Sequence, residues 1–241
     1  MNLGTKMYPQ IGISFGKSKF LKGLPYEFLD NFADNSIHWS WRQFKGELSA
    51  EGKSIVEASG RLTLGIAATK DGLWDSTKNE APRIFVGIGA YPCEITTKLV
   101  EATQGARTQA GLFISKSPIS FGSAAYLTII KRRAINGTYQ IQVIKSTTGS
   151  DIILASVNTT EVLPLWFKMR VSNFCYYGAT IYLDYSFDGV HYTNLYNFQG
   201  WLEFTLTQPG VGLFVMNGWN ATYSAISASF DFFRMKSIVK D

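Results

Sequence analysis

TIYLDYSFDGVHYTNLY, residues 180–196, is the stretch whose reading decides the fold. Ile181, Leu183, Tyr185 and Phe187 fall on one side of an extended chain, and Thr180, Tyr182, Asp184 and Ser186 on the other, because successive side chains of a strand point to opposite faces. The run stops at Asp188-Gly189. That pair suits a type I′ turn, with positive φ at both central residues, so the sequence predicts an antiparallel return over His191 to Tyr196. One face of the hairpin is apolar and should be buried.

The same alternation extends in both directions. It runs through Leu62, Leu64, Ile66; Ile95, Thr97, Leu99; Ala110, Leu112, Ile114; Ala125, Leu127, Ile129; and Tyr139, Ile141, Val143. Further on come Phe167, Met169, Val171; Val211, Leu213, Val215; and Phe230 with Phe232 before Met235. Stripes with a helical period are hard to find. The seven prolines (Pro9, Pro25, Pro82, Pro92, Pro118, Pro164, Pro209) lie outside or at the ends of these runs, where a missing donor harms a sheet least. Roughly ten or more short strands broken by Gly, Asn, Ser and Pro clusters predict an all-β fold: a two-sheet antiparallel β-sandwich of jelly-roll type. A chain of 241 residues fits one such unit.

Several segments, in this order, resemble the concanavalin A-like lectin/glucanase superfamily. They are Gln109-Ala110-Gly111-Leu112-Phe113-Ile114, Ala125-Tyr126-Leu127 followed by Lys131-Arg132-Arg133, and Trp166-Phe167-Lys168-Met169-Arg170-Val171. Tyr185-Ser186-Phe187-Asp188-Gly189-Val190-His191-Tyr192 is similar to that group's hairpin, with Tyr192 where Trp is commoner. Pro209-Gly210-Val211-Gly212-Leu213-Phe214 and Ala228-Ser229-Phe230-Asp231-Phe232-Phe233-Arg234 resemble its closing strands. The resemblance covers about Phe28 to Met235 and points to the non-catalytic glucanase-like modules found beside xylan-degrading enzymes. It implies a fold; sites are grafted onto such folds separately.

Hydrolysis of a glycoside needs two carboxyls flanking the bond, and catalytic members of this superfamily often carry them on one strand as Glu-x-Asp-x-x-Glu or Glu-x-Asp-x-Glu. No such motif occurs. Glu47 and Glu51 have no acid between them, Asp184 and Asp188 straddle the hairpin, and Glu27 with Asp30 precedes the first clear strand. The two histidines, His38 and His191, sit in no nucleophile elbow. The chain is therefore expected not to be an enzyme. No cofactor is expected apart from a structural calcium ion, which the resemblance would place where first and last strands meet, at Asp30 and Asp231; calcium takes 6–8 oxygens, most of which a sequence does not reveal. Cys93 and Cys175 read as buried thiols, with one disulfide left open.

Residues 1–26 carry Lys6, Lys17, Lys19 and Lys22 and no acid, leaving nineteen basic against eighteen acidic residues in the sandwich domain, 27–241. Tyr8, Phe15 and Phe20 interleave with glycines in this basic N-terminal arm. Lys6, Tyr8, Phe15, Lys17, Lys19 and Phe20 are thus candidates for fastening the chain to a protein partner, as an added strand or on an acidic surface. The alternative is that the arm packs across its own sandwich. Lys131-Arg132-Arg133 is the one dense basic run and reads as a solvated loop, so nucleic acid, which usually needs ~6–10 phosphate contacts, is not the expected partner. No apolar leader or membrane span is visible, and the oligomeric state is not readable.

Sugars are held by aromatic faces with amides beside them. Among six tryptophans, Trp219 has the best setting, a Gly-flanked loop with Asn217, Asn220 and Tyr223; Trp74 is the second candidate. Closing one end of the sandwich is the structural alternative for Trp219. The combined expectation is a lectin-like display domain of a larger assembly, such as a decoration or tail protein on a virus or phage particle, that reaches the exterior by assembly and binds glycan. The alternative is a stand-alone or accessory carbohydrate-binding module of a polysaccharide-degrading system.

Overall fold

The computed structural model describes residues 27–45, 51–68, 80–88, 92–102, 108–115, 126–147, 150–160, 163–175, 178–200, 209–217 and 225–238. Those residues form strands and no helix. In chain order they are β1 (Glu27–Asp30), β2 (Arg42–Phe44), β3 (Lys53–Ala58), β4 (Arg61–Ile66), β5 (Arg83–Gly87), β6 (Cys93–Ala102), β7 (Gln109–Ser115) and β8 (Tyr126–Arg133). There follow β9 (Tyr139–Thr147), β10 (Ser150–Thr159), β11 (Leu165–Cys175), β12 (Gly178–Ser186), β13 (Thr193–Gly200), β14 (Gly210–Met216) and β15 (Ile226–Ser237). The basic arm, residues 1–26, lies outside the described residues, as do Trp74, Trp219, Asn220 and Tyr223.

The strands build two antiparallel sheets. The first runs β13-β12-β11-β6-β15-β4-β3, with β1 added beside β15, and the second runs β10-β9-β8-β7-β14-β5-β2. Hairpins connect neighbours such as β7-β8-β9-β10, while β6-β15 and β7-β14 join distant parts of the chain. This is the expected jelly-roll sandwich.

The inward phase of each strand supplies the core. Leu62, Leu64, Ile95, Leu99, Phe167, Met169, Ile181, Leu183 and Phe230 from the first sheet meet Leu112, Ile114, Leu127, Ile129, Ile141, Val143, Val211 and Leu213 from the second. Each such side chain contributes about 1.5–3 kcal/mol by leaving water.

The second sheet is also buried on its far face, where Phe85, Phe113, Tyr126, Ile130, Ile144 and Phe214 form a separate apolar cluster. Register explains its packing: Gly111 pairs with Phe214 and Gly212 with Phe113, so each ring stands across from a position without a side chain. The two rings meet edge to face at 5.9 Å. A methyl group at Gly212 would run into the Ile84 carbonyl oxygen, and one at Gly111 into that of Ile129.

Three sequence expectations change. Phe232 does not continue the inward phase of Phe230, because a β-bulge inserts one extra residue opposite β6; Phe233 and Met235 point inward instead. The hydroxyl of buried Thr97 donates to the Phe232 carbonyl at 2.7 Å, satisfying the backbone that the bulge displaces. Glu27 and Asp30 do not precede the strands but bound β1, which pairs with the C-terminal half of β15.

The β12–β13 turn is not type I′. Gly189 has φ +76°, but Asp188 is absent from the positive-φ set, and β13 begins at Thr193. Here the Asp188 carboxylate organises the loop: one oxygen accepts from the amides of Val190 and His191, both at 2.8 Å, and from the Ser186 hydroxyl at 2.9 Å. The type I′ signature falls at Ser59-Gly60, with φ +54° and +72°, between β3 and β4. There the Asn35 side chain accepts from the Ser59 amide at 2.7 Å.

Candidate functional site

At one end of the sandwich, residues of both sheets line a hollow, Ala102 and Ser227 from the first and Lys131 and Val215 from the second. Strand β8 ends there in three basic residues, and the alternation of Leu127 and Ile129 carries on through them, so Lys131 stays on the core-facing side. Lys131 is 5% exposed, and Arg132 and Arg133 are half-buried. The basic run is therefore strand rather than the solvated loop expected, because the inward phase does not stop where the apolar residues do.

This small hollow, partly open to solvent, lies against Lys131, Arg132, Arg133, Thr108, Tyr139 and Ser227. Cross-strand pairing holds the charges in place. Gln109 is opposite Arg132, and Tyr139 is opposite Arg133. The Tyr139 ring lies 4.9 Å from the Lys131 ammonium and 5.8 Å from the Arg133 guanidinium. A tight turn closes the strand pair, with the Ala134 amide donating to the Thr138 carbonyl at 2.8 Å and the Gly137 amide to that of Ala134 at 3.0 Å.

Outside the hollow, Arg132 donates to Gln142 at 3.2 Å. The Gln142 amide passes the chain on to Gln140 at 3.0 Å and Ser156 at 3.3 Å, and Gln140 donates to Asn158 at 3.1 Å. This polar ladder crosses β8, β9 and β10 and presents groups of the kind that bind hydroxyls.

Val215 and Ser227, which line the hollow, belong to β14 and β15. Asn217, the one candidate sugar-binding residue among the described ones, is 2% exposed. It follows β14 directly, and its side chain is buried with the strand end.

The outer face of the first sheet carries many charges, all zipped to partners. Glu94 bridges Lys236 at 3.1 Å and Lys168 at 3.9 Å; Arg170 holds Asp184 at 3.0 Å, and Asn194 donates to that carboxylate at 2.6 Å. Asp231 pairs with Lys98 at 2.6 Å. Asp30 accepts from the Trp41 indole at 2.7 Å and from the Phe32 amide at 2.9 Å. Asp30 stands opposite Phe233 in the β1–β15 register, so the two candidate calcium ligands are not cross-strand partners, and each is engaged by protein donors. Among the described residues no group of three His, Cys, Asp or Glu is placed to hold a metal ion.

One carboxyl pair escaped the sequence reading. In β3, Lys53, Ile55 and Glu57 share the inward phase, so Glu57 is drawn beneath the loop that follows β1 and is 7% exposed. Its Oε1 accepts from the Ser36 amide at 3.2 Å, and the carboxyl is hydrogen-bonded to Asp34. Burial pushes the Glu57 carboxyl up to about 7, aided by hydrogen bonding to Asp34 and by the charges of Asp30 and Asp34. Asp34 moves the opposite way, lowered first by the Ser36 amide and then by Glu57. The proton sits on Glu57 and the charge on exposed Asp34. A motif search along single strands misses this pair because its members come from a loop and a strand. The β3 alternation was the available signal.

Cys93 is a buried free thiol pushed up to about 12 by burial, which makes it unreactive. The side chain of Cys175 lies outside the described residues.

No protein-family profile matches the sequence, and no curated protein does. Solved structures do match, at identities that establish the fold alone. The GH43 protein BlXynB from Bacillus licheniformis is 19% identical over 88% of this chain, with a TM-score of 0.66. A xylan β-1,4-xylosidase from Bacillus halodurans is 17% identical over 86%, with a TM-score of 0.65. LamA from Z. galactanivorans, solved with laminaritriose and laminaritetraose, is 9% identical over 87%, with a TM-score of 0.53.

This chain spans 39% and 38% of the two Bacillus proteins but 97% of LamA. The expectation that the chain is not an enzyme is corrected by these neighbours, since the sandwich occurs in a GH43 protein and a xylosidase. That expectation assumed both carboxyls would lie on one strand, whereas folding joins residues far apart in sequence. The architecture is the concanavalin A-like jelly roll.

Proposed function

We propose that the chain works in a polysaccharide-degrading system, as the β-sandwich of a glycoside hydrolase-like protein that holds a saccharide at the basic end of the fold. The observation that supports this reading is the likeness of most of the chain to sandwiches in a GH43 protein and a xylosidase. The open hollow, Tyr139 and the Arg132–Gln142–Gln140–Asn158 ladder supply an aromatic face and amide groups suited to hydroxyls. The comparisons favour this alternative over display on a virus particle.

Electrophoresis through gels containing xylan, arabinoxylan or laminarin tests it, paired with an assay for released reducing sugar. Retardation in at least one gel is expected. Unchanged mobility in all three, with no sugar released, would reject the proposal.

A further inference from the structure

We infer that Trp39 is a second saccharide contact, a platform on which a neutral sugar ring of the polymer stacks while its hydroxyls bond to Asp34 and His38. The inference rests on the preceding reading, which supplies the ligand class, and adds a site to it. Two tryptophans of one short loop meet opposite fates. Trp41 is 6% exposed and packs edge to face on Phe28 and Phe233, at 5.4 and 4.8 Å, whereas Trp39 is 86% exposed. A ring so open contributes little to the core and gives up the stabilisation that burial would bring.

The ring is nevertheless braced. Phe233, Phe28, His38 and Trp39 follow one another from the core to the surface, with centroids 6.1, 5.6 and 5.3 Å apart. Side chains pin the loop: Asp30 accepts from the Phe32 amide, Asp34 and Glu57 from the Ser36 amide, and Asn35 from the Ser59 amide. An aromatic face held in this way loses little freedom when a ligand lands on it.

The polar groups nearby suit hydroxyls. His38 Nδ1 accepts from the Ser40 amide at 3.2 Å, which leaves the proton of the neutral imidazole on Nε2 as a donor. Exposed Asp34 lies within electrostatic reach of His38 and supplies an acceptor. A hydroxyl both donates and accepts, and the C–H face of a sugar suits an aromatic plane. An apolar protein partner would have to bury the Asp34 charge, a cost that a hydroxylated ligand avoids. The site is separate from the hollow, because its loop follows β1, which pairs with β15 beyond the bulge, whereas Ser227 precedes the bulge.

The test runs wild-type protein, Trp39→Ala and Trp39→Phe through the xylan, arabinoxylan and laminarin gels. In parallel, the indole N–H resonance of Trp39, identified by its loss in Trp39→Phe, is followed during titration with xylohexaose and laminarihexaose. Affinity should fall roughly five- to tenfold in Trp39→Ala and be partly kept in Trp39→Phe. The melting temperature should stay unchanged, because the side chain faces solvent. The Trp39 resonance should move with at least one oligosaccharide.

An unmoved resonance, or undiminished binding by Trp39→Ala, overturns the inference while wild-type retardation keeps the preceding reading. Unchanged wild-type mobility in all three gels, with no sugar released, overturns both. Self-association of the wild type that Trp39→Ala abolishes, with the resonance unmoved by sugars, makes Trp39 a contact between copies and also overturns the inference. If Trp39→Ala proves unstable, the resonance in the wild-type protein decides alone.

Discussion

Replacing Glu57 with Gln should make the protein more stable near neutral pH and remove part of its pH dependence. The Glu57 carboxyl titrates at about 7 in the fold against an ordinary 4.5, so the folded chain holds a proton that the unfolded chain has released. Stability from this group is complete below about 4.5 and declines as pH rises toward about 7, where it levels off. At 1.36 kcal/mol per pH unit, the difference caps the loss near ~3 kcal/mol. Relaxation around a loop-covered site lowers this to about 1–2 kcal/mol. Glutamine keeps the shape of the protonated acid, can donate to Asp34 and never ionises. Urea midpoints measured for both proteins at pH 5 and pH 8 isolate the effect, because the two chains differ at this one side chain. The difference between variant and wild type should grow by roughly 1–2 kcal/mol from the lower pH to the higher. An unchanged difference, or one that shrinks, would refute the argument.

Gly212→Ala should cost more than about 2 kcal/mol or prevent folding, since the added methyl meets the Ile84 carbonyl and β5 must shift; thermal melting is the check. Thr97→Val keeps the shape but strands the Phe232 carbonyl, and should lower stability by about 1–3 kcal/mol in chemical denaturation. Asp188→Ala should leave the melting temperature nearly unchanged while hydrogen exchange at the Val190 and His191 amides speeds up, because both lose their common acceptor. Asp188 is held below the usual carboxylate range, first by His191, so wild-type protection at those amides should persist into mild acid.

Alternation in single strands was readable wherever the ladder is regular, as in β4 between β3 and β15 and in the pairing of β6 with β11, because one buried face writes itself into every second residue. It misled at Phe232, where the bulge shifts the phase without leaving a Gly or Pro to mark it. At Asp188-Gly189 the composition suited one turn, but the carboxylate captured two amides and made another. The end cavity was not legible: Lys131-Arg132-Arg133 looked like solvent-facing charge, since composition does not reveal that a strand keeps its phase through basic residues. Glu57 and Asp34 were hidden for a different reason: proximity across a loop is a property of the fold, not of spacing.

The bulge in β15 also marks a change of neighbour. Before it, Ile226 to Phe230 pair with β4; after it, Phe233 to Lys236 pair with β1, while β6 follows the strand along its other side. The earliest described strand therefore has its ladder partner more than two hundred residues later. During synthesis β1 must wait, exposed, until that partner leaves the ribosome. A nascent chain halted at residue 232 would carry an unzipped first strand and be a natural client for chaperones.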